Sequence, residues 1–208
     1  MEKRNRDGQL SMKKPIKILI AGVGGQGVVF LTKLIVEACL IADMPVATSE
    51  IHGLAQRGGT VTAGISLGGS TCGFLEKAGV DILIGLEPLE AQRCLTFLNK
   101  NSIALIDENR ILPYSVNSGH KTYPDTLKFV GYLKNNIKEV IHITEDIVNT
   151  KSTRRNLYLM GMLCASGSFP IDAQYIEKAI RKISRSGSED TGIEIFRKGC
   201  EENKVILD

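Results

Sequence analysis

The chain has 208 residues and a formal charge of +3, with 43% hydrophobic and 24% charged side chains. That length buries one good core, and a composition near the globular average excludes disordered and fibrous classes. No apolar stretch approaches the ~20 residues of a membrane-crossing helix; the longest, Leu157–Ala165, reaches nine only by counting Gly161.

Residues 1–14 carry Lys3, Arg4, Arg6, Lys13 and Lys14 against Glu2 and Asp7, which accounts for the whole net charge. Subtracting them from 26 basic and 23 acidic side chains leaves 21 of each. A basic segment with almost nothing apolar to anchor it reads as a disordered tail. The balanced remainder, 15–208, reads as a single domain with no nucleic-acid footprint. The tail lacks the apolar stretch of a secretory signal, so the expectation is a cytoplasmic protein without a membrane segment.

Ile16–Ala21 is a short apolar run that stops at glycines, the pattern of a buried strand. Gly22-Val23-Gly24-Gly25-Gln26-Gly27 follows, then Val28–Ala42, a helix with a narrow polar stripe. Asp43-Met44-Pro45 ends it, and Pro45–Glu50 reads as a second strand, completing a βαβ pattern. Ile51–Gly59 has no clean period. Thr60–Leu67, Asp81–Leu86, Ser102–Asp107 and Val140–Thr144 read as further strands, with a helix opening at Glu87-Pro88. Thr153–Ser166, Ile171–Ser184 and Gly192–Glu202 carry helical patterns. Strands alternating with helices, then helices gathered late, predict an α/β fold: a Rossmann-like, mostly parallel sheet with a helical C-terminal lobe.

Gly22, Gly24 and Gly27 satisfy G-x-G-x-x-G between a strand and a helix. The chemistry needs a tight turn, close approach of a ligand to backbone, and close packing of helix on strand. N–H groups at the helix start favour an anion: phosphate, pyrophosphate or carboxylate. Glu50 stands 23 residues after Gly27, where a dinucleotide fold places an acid on a ribose hydroxyl. A free-standing NAD- or FAD-linked oxidoreductase is therefore one reading, and a turn that binds nothing is another. Gln26 would place an amide at the mouth of the turn. His52, Gln56 and Arg57 crowd the glycine-framed loop after the second strand, where ligands bind in doubly wound sheets; the alternative is a loop that satisfies only itself.

The five cysteines, at 39, 72, 94, 164 and 200, form no C-x₂-C pair, so neither a zinc nor an iron–sulfur site is expected in this chain. Cys39 and Cys164 read as small buried hydrophobes. His120 reads as solvated, His142 as a strand-face residue, and Lys151, Arg154 and Arg155 as a solvated helix start.

Gly22–Gly27 followed by Thr48–Gly59 (T-S-E-I-H-G-L-A-Q-R-G-G) resembles the gamma-type domain of the 2-oxoacid:ferredoxin oxidoreductase family, on its indolepyruvate side. Gly85–Glu90 (G-L-E-P-L-E) and Asn156 with Met160-Gly161 fit the same family, and the likeness runs from about Ile16 past Ser184. The resemblance implies the small subunit of a complex that converts an aryl 2-oxoacid such as indolepyruvate to its acyl-coenzyme A. A large alpha subunit would carry thiamine diphosphate and [4Fe–4S] clusters, with ferredoxin as electron acceptor. It also implies that Gly22, Gly24, Gly25, Gln26 and Gly27 face an anionic ligand, coenzyme A phosphate. Glu50, His52, Gln56 and Arg57 would lie at the partner interface or active-site mouth. A non-catalytic binding subunit is the remaining alternative.

Overall fold

A computed structural model of the protein describes residues 3–4, 10–11, 14–52, 59–69, 72–144, 152–184 and 187–206. Near the N-terminus Lys3–Arg4 (β1) pairs antiparallel with Leu10–Ser11 (β2); of residues 1–14, read above as a disordered tail, 1–2, 5–9 and 12–13 lie outside the described residues.

The main sheet has six strands: Ile16–Val23 (β3), Val46–His52 (β4), Thr60–Leu67 (β5), Val80–Gly85 (β6), Leu98–Asp107 (β7) and Glu139–Ile143 (β8), in the order β4-β5-β3-β6-β7-β8. Pairing is parallel from β3 to β8 and antiparallel on both sides of β5. Five strands therefore run one way and β5 alone runs against them, so the expectation of a mostly parallel sheet holds. The expected βαβ neighbours do not touch: β5 inserts between β3 and β4, with Ala63 opposite Ile20 on one side and Glu50 on the other.

Alternation along β3 explains the layers. Ile18 and Ile20 enter one core with Ile65, Ile82, Ile84 and Leu105, while Leu19 and Ala21 enter a second with Leu83, Ala104 and Ile106. A strand buried on both faces reads as a continuous apolar run, as Ile16–Ala21 does. The first core is covered by Val28–Ile41 (α1) and, late in the chain, by Ser152–Ala165 (α5), Ala173–Ile183 (α6) and Glu189–Ile206 (α7); the second by Pro88–Arg93 (α2) and Thr126–Asn136 (α4). A 3₁₀ turn at Leu95–Phe97 and a short helix at Tyr114–Asn117 (α3) complete the elements.

The late helices thus share one apolar core with α1 and one face of the sheet. Residues 156–163 of α5 are all buried, because the sheet side lies beneath that helix and α7 against its outer side. A Cβ on Gly161 would lie 2.1 Å from the Phe196 carbonyl, and one on Gly199 2.2 Å from that of Tyr158, so the two backbones touch where neither helix has a side chain.

Candidate functional site

The turn Gly22–Gly27 leaves the carboxyl end of β3, beside the carboxyl ends of β6 and β7. In an open α/β sheet this is the end at which ligands bind. Its glycines serve different purposes. At Gly22 a Cβ would lie 3.0 Å from Gln26 Oε1 and 3.2 Å from Leu86 Cβ, so the missing side chain makes room for Gln26 to fold back. Gly27 is the N-cap of α1 in the left-handed region (φ 83°), and a Cβ there would lie 2.7 Å from Asn156 Nδ2. Gly25 also has positive φ, 99°, but among the described residues nothing lies within 4 Å of its Cβ position. It is the exposed residue of the turn.

Gln26 is only 4% exposed. Its Oε1 accepts from the Val23 N–H at 2.8 Å, and its Nε2 donates to the carbonyls of Leu86 at 2.9 Å and Asn109 at 3.2 Å. The amide expected at the mouth is therefore turned inward, where it ties together the loops that follow β3, β6 and β7. From the opposite side Asn156, 2% exposed in the first turns of α5, donates to the carbonyls of Gln26 at 3.0 Å and Gly27 at 3.1 Å. The Gly24 N–H donates to the Gly59 carbonyl at 2.9 Å. Among the described residues no side chain caps the N-terminus of α1, and its first turn has no acid, so the helix itself supplies no charge that offsets the positive end of its dipole.

Around this turn lies a polar constellation that sequence reasoning missed. Glu87, 1% exposed, caps α2 by accepting from the Glu90 N–H at 2.9 Å, and it also accepts from the Tyr123 hydroxyl. Tyr123 in turn accepts from the Leu89 N–H at 3.2 Å, and the Arg110 guanidinium sits 5.4 Å from its ring centroid. Burial, and then the Glu87 carboxylate, push the Tyr123 phenol well above its ordinary range. The G-L-E-P-L-E segment was visible in the sequence, but not the tyrosine 36 residues away that makes its first acid a buried anchor.

At the end of β7, Asp107 is gripped by both arms of Arg155, with Nε to Oδ2 at 2.6 Å. The reading of Arg155 as part of a solvated helix start is corrected by this pair: its side chain is nearly buried because the first turn of α5 packs over the end of β7. Burial pushes the Asp107 carboxyl up, and the guanidinium only partly offsets that. Glu108 differs. Partial burial raises it, but hydrogen bonds from His142, at 2.7 Å, and from Arg110 outweigh burial and hold it below the usual carboxylate range. His120 is exposed, with Nδ1 2.7 Å from the Ser118 hydroxyl.

Glu50 does not meet the dinucleotide expectation. It pairs with Ala63 on the edge strand, two strand spacings (roughly 10 Å) from β3 and level with Ile20 rather than with the turn. His52 closes β4 opposite Val61, near where Thr60 pairs with Val23. Gln56 and Arg57 lie outside the described residues. Among the described residues no group of three His, Cys, Asp or Glu side chains is arranged to hold a metal ion. Burial raises the Cys39 thiol to about 12 and the Cys94 thiol to about 11, as suits inert core residues. No helix among the described residues is long and apolar enough to cross a membrane.

Residues 17–202 match the family described as pyruvate ferredoxin/flavodoxin oxidoreductase. Among curated relatives, the indolepyruvate oxidoreductase subunit IorB of Archaeoglobus fulgidus is 33% identical over 187 residues, covering 88% of this chain and 93% of the relative. The protein of that name from Pyrococcus horikoshii is 30% identical over 201 residues, covering 93% and 98%. The crystal structure of the keto/oxoacid ferredoxin oxidoreductase gamma subunit from Geobacter sulfurreducens superposes with a TM-score of 0.63 at 18% identity, covering 91% of this chain and 99% of that one. A 2-oxoglutarate:ferredoxin oxidoreductase from Magnetococcus marinus, solved with 2-oxoglutarate, coenzyme A and succinyl-CoA bound, gives 0.65 at 16% identity, covering 93% of this chain but 32% of that one. At such identities the solved structures speak for the fold; the family match and the curated relatives, spanning nearly the whole sequence, show that the chain belongs to the pyruvate ferredoxin/flavodoxin oxidoreductase family.

Proposed function

We propose that this chain is the small subunit of an indolepyruvate-type 2-oxoacid:ferredoxin oxidoreductase in the cytoplasm. The observation that carries the reading is the 33% identity to an indolepyruvate oxidoreductase subunit over almost the full length of both chains. In this reaction the oxoacid loses its carboxylate as carbon dioxide, its acyl group passes to the sulfur of coenzyme A as the thiol proton is released to solvent, and two electrons leave to ferredoxin. Thiamine diphosphate on a large alpha subunit would supply the carbanion stabilisation, and [4Fe–4S] clusters on that subunit would supply the electron path. The dispersed cysteines of this chain suit that division, since none of them forms the closely spaced pair that cluster sites commonly use.

The part assigned to this chain is to present an anion site at the active-site mouth. Gly25 offers exposed backbone, and the first-turn N–H groups of α1 offer donors without a capping side chain. A phosphate of coenzyme A suits both. The inward Gln26 builds the turn rather than touching the ligand. Glu50, His52, Gln56 and Arg57 belong to the neighbouring partner-facing edge in this reading. The dinucleotide alternative loses its ribose contact, because β5 stands between Glu50 and β3.

Anaerobic affinity purification of the tagged chain from its native cells, with mass spectrometry, tests the assignment. The expected result is a stoichiometric large partner, and a purified complex that reduces viologen with indolepyruvate only when coenzyme A is present. Recovery of this chain alone, without oxoacid-dependent reductase activity, overturns it.

A further inference from the structure

The two carbonyls that Asn156 holds belong to consecutive peptide units, Gln26–Gly27 and Gly27–Val28. In a trans peptide the C=O and the N–H point in opposite directions. Holding both carbonyls toward α5 therefore turns the N–H groups of Gly27 and Val28 away from it. The Gly27 carbonyl also accepts from the Leu31 N–H at 3.0 Å, so the first turn of α1 fixes the Gly27–Val28 unit by itself. The Gln26–Gly27 unit, without the Asn156 donor behind it, rotates at little steric cost, because the glycine beside it populates positive and negative φ about equally. A rotated unit would present a carbonyl oxygen, the wrong end of its dipole, to an anion.

Asn156 is well placed to prevent this. Its side chain is buried, and the helix that carries it is clamped on two sides, by the Arg155–Asp107 ion pair and by backbone contact with α7 through Gly161 and Gly199. The missing side chain of Gly27 leaves the space that the Asn156 amide fills. We infer that Asn156 is a positioning residue that sets the Gln26–Gly27 peptide plane of the glycine turn, so that the Gly27 N–H joins the first-turn N–H groups of α1 in facing an anionic ligand. The inference rests on the turn being the coenzyme A phosphate site.

The test uses the purified two-subunit complex carrying Asn156→Asp, Asn156→Leu or Gly25→Val. Asp and Leu are close to Asn in size and both lack the amide donor, but only Asp adds charge. Both Asn156 variants are expected to raise the KM for coenzyme A about tenfold, as losing two hydrogen bonds to the turn implies. Most of the loss should fall in KM rather than kcat, with the KM for the oxoacid unmoved. Gly25→Val should raise the same KM by blocking the open face. If Gly25→Val raises it and neither Asn156 variant does, the inference is overturned and the site reading survives. If none of the three moves it, both fail. Parallel rises in both KM values with a fall in kcat would mark Asn156 as merely structural and also overturn the inference. Should either larger change prevent assembly, Asn156→Ala, which is smaller and also lacks the donor, is read by the same criteria.

Discussion

On its inner side the glycine turn is tied to neighbouring elements by two buried amides, Gln26 and Asn156, whereas on its outer side Gly25 has, among the described residues, no atom within 4 Å of the position a Cβ would take. The same six residues are thus over-determined behind and open in front. Such a contrast suits preorganisation: the cost of arranging donors is met during folding, and a ligand then finds them already arranged. It also separates two effects of mutation. Changes behind the turn should show in stability as well as binding, and changes in front chiefly in binding.

The largest expected effect lies deepest. Arg155→Ala leaves the Asp107 carboxylate buried without its partner, which should cost about 3 kcal/mol of unfolding free energy, read by urea titration. Asp107→Asn combined with Arg155→Met should recover much of that loss, and failure to do so would mean the pair is not what anchors α5. Gly27→Ala comes next, at about 2 kcal/mol, because it adds a left-handed alanine and forces its Cβ against the Asn156 amide. Gly25→Ala should cost about 1 kcal/mol, since its strain is backbone alone. If Gly25→Ala proves as damaging to folding as Gly27→Ala, the contrast between the two sides is wrong.

The smallest effect concerns pH. Glu108 has a depressed folded-state pKa, so its contribution to stability is present above its unfolded value and is lost as pH falls through the folded one. Glu108→Gln should therefore cost more at pH 7 than below about pH 4, near and under the ordinary carboxylate range. Asp107 has the opposite sign: its raised pKa gives a contribution present at acid pH and lost as pH rises. Urea titrations of wild type and Glu108→Gln at both pH values isolate the Glu108 part.

The local pattern made much of the architecture legible. Strands buried on two faces announce themselves as apolar runs, so β3, β6 and β7 were visible, and α1 follows its glycines directly. Helix α4 was missed because Thr126–Asn136 mixes Gly131 with two lysines and two asparagines. Its apolar stripe of Phe129, Val130 and Leu133 means something only against the second core. The glycine turn was found and its glycines assigned to ligand approach. The side chain between them was misplaced, because nothing in G-V-G-G-Q-G says that the Gln26 amide finds partners 60 and 83 residues away.

What the sequence determined by itself was therefore what near neighbours decide: the strand–turn–helix opening, the alternation of elements, the absence of cluster-spaced cysteines, and a family likeness carried by contiguous segments. Only the tertiary structure decided that β5 enters between β3 and β4, which moves Glu50 away from the turn. Only it could show that Arg155 is buried against Asp107, and that Asn156 reaches Gly27 from 129 residues away. Strand order and buried polar pairing depend on which surfaces meet once the chain is compact. Those contacts are set by the burial of whole faces and leave no short-range period in the sequence.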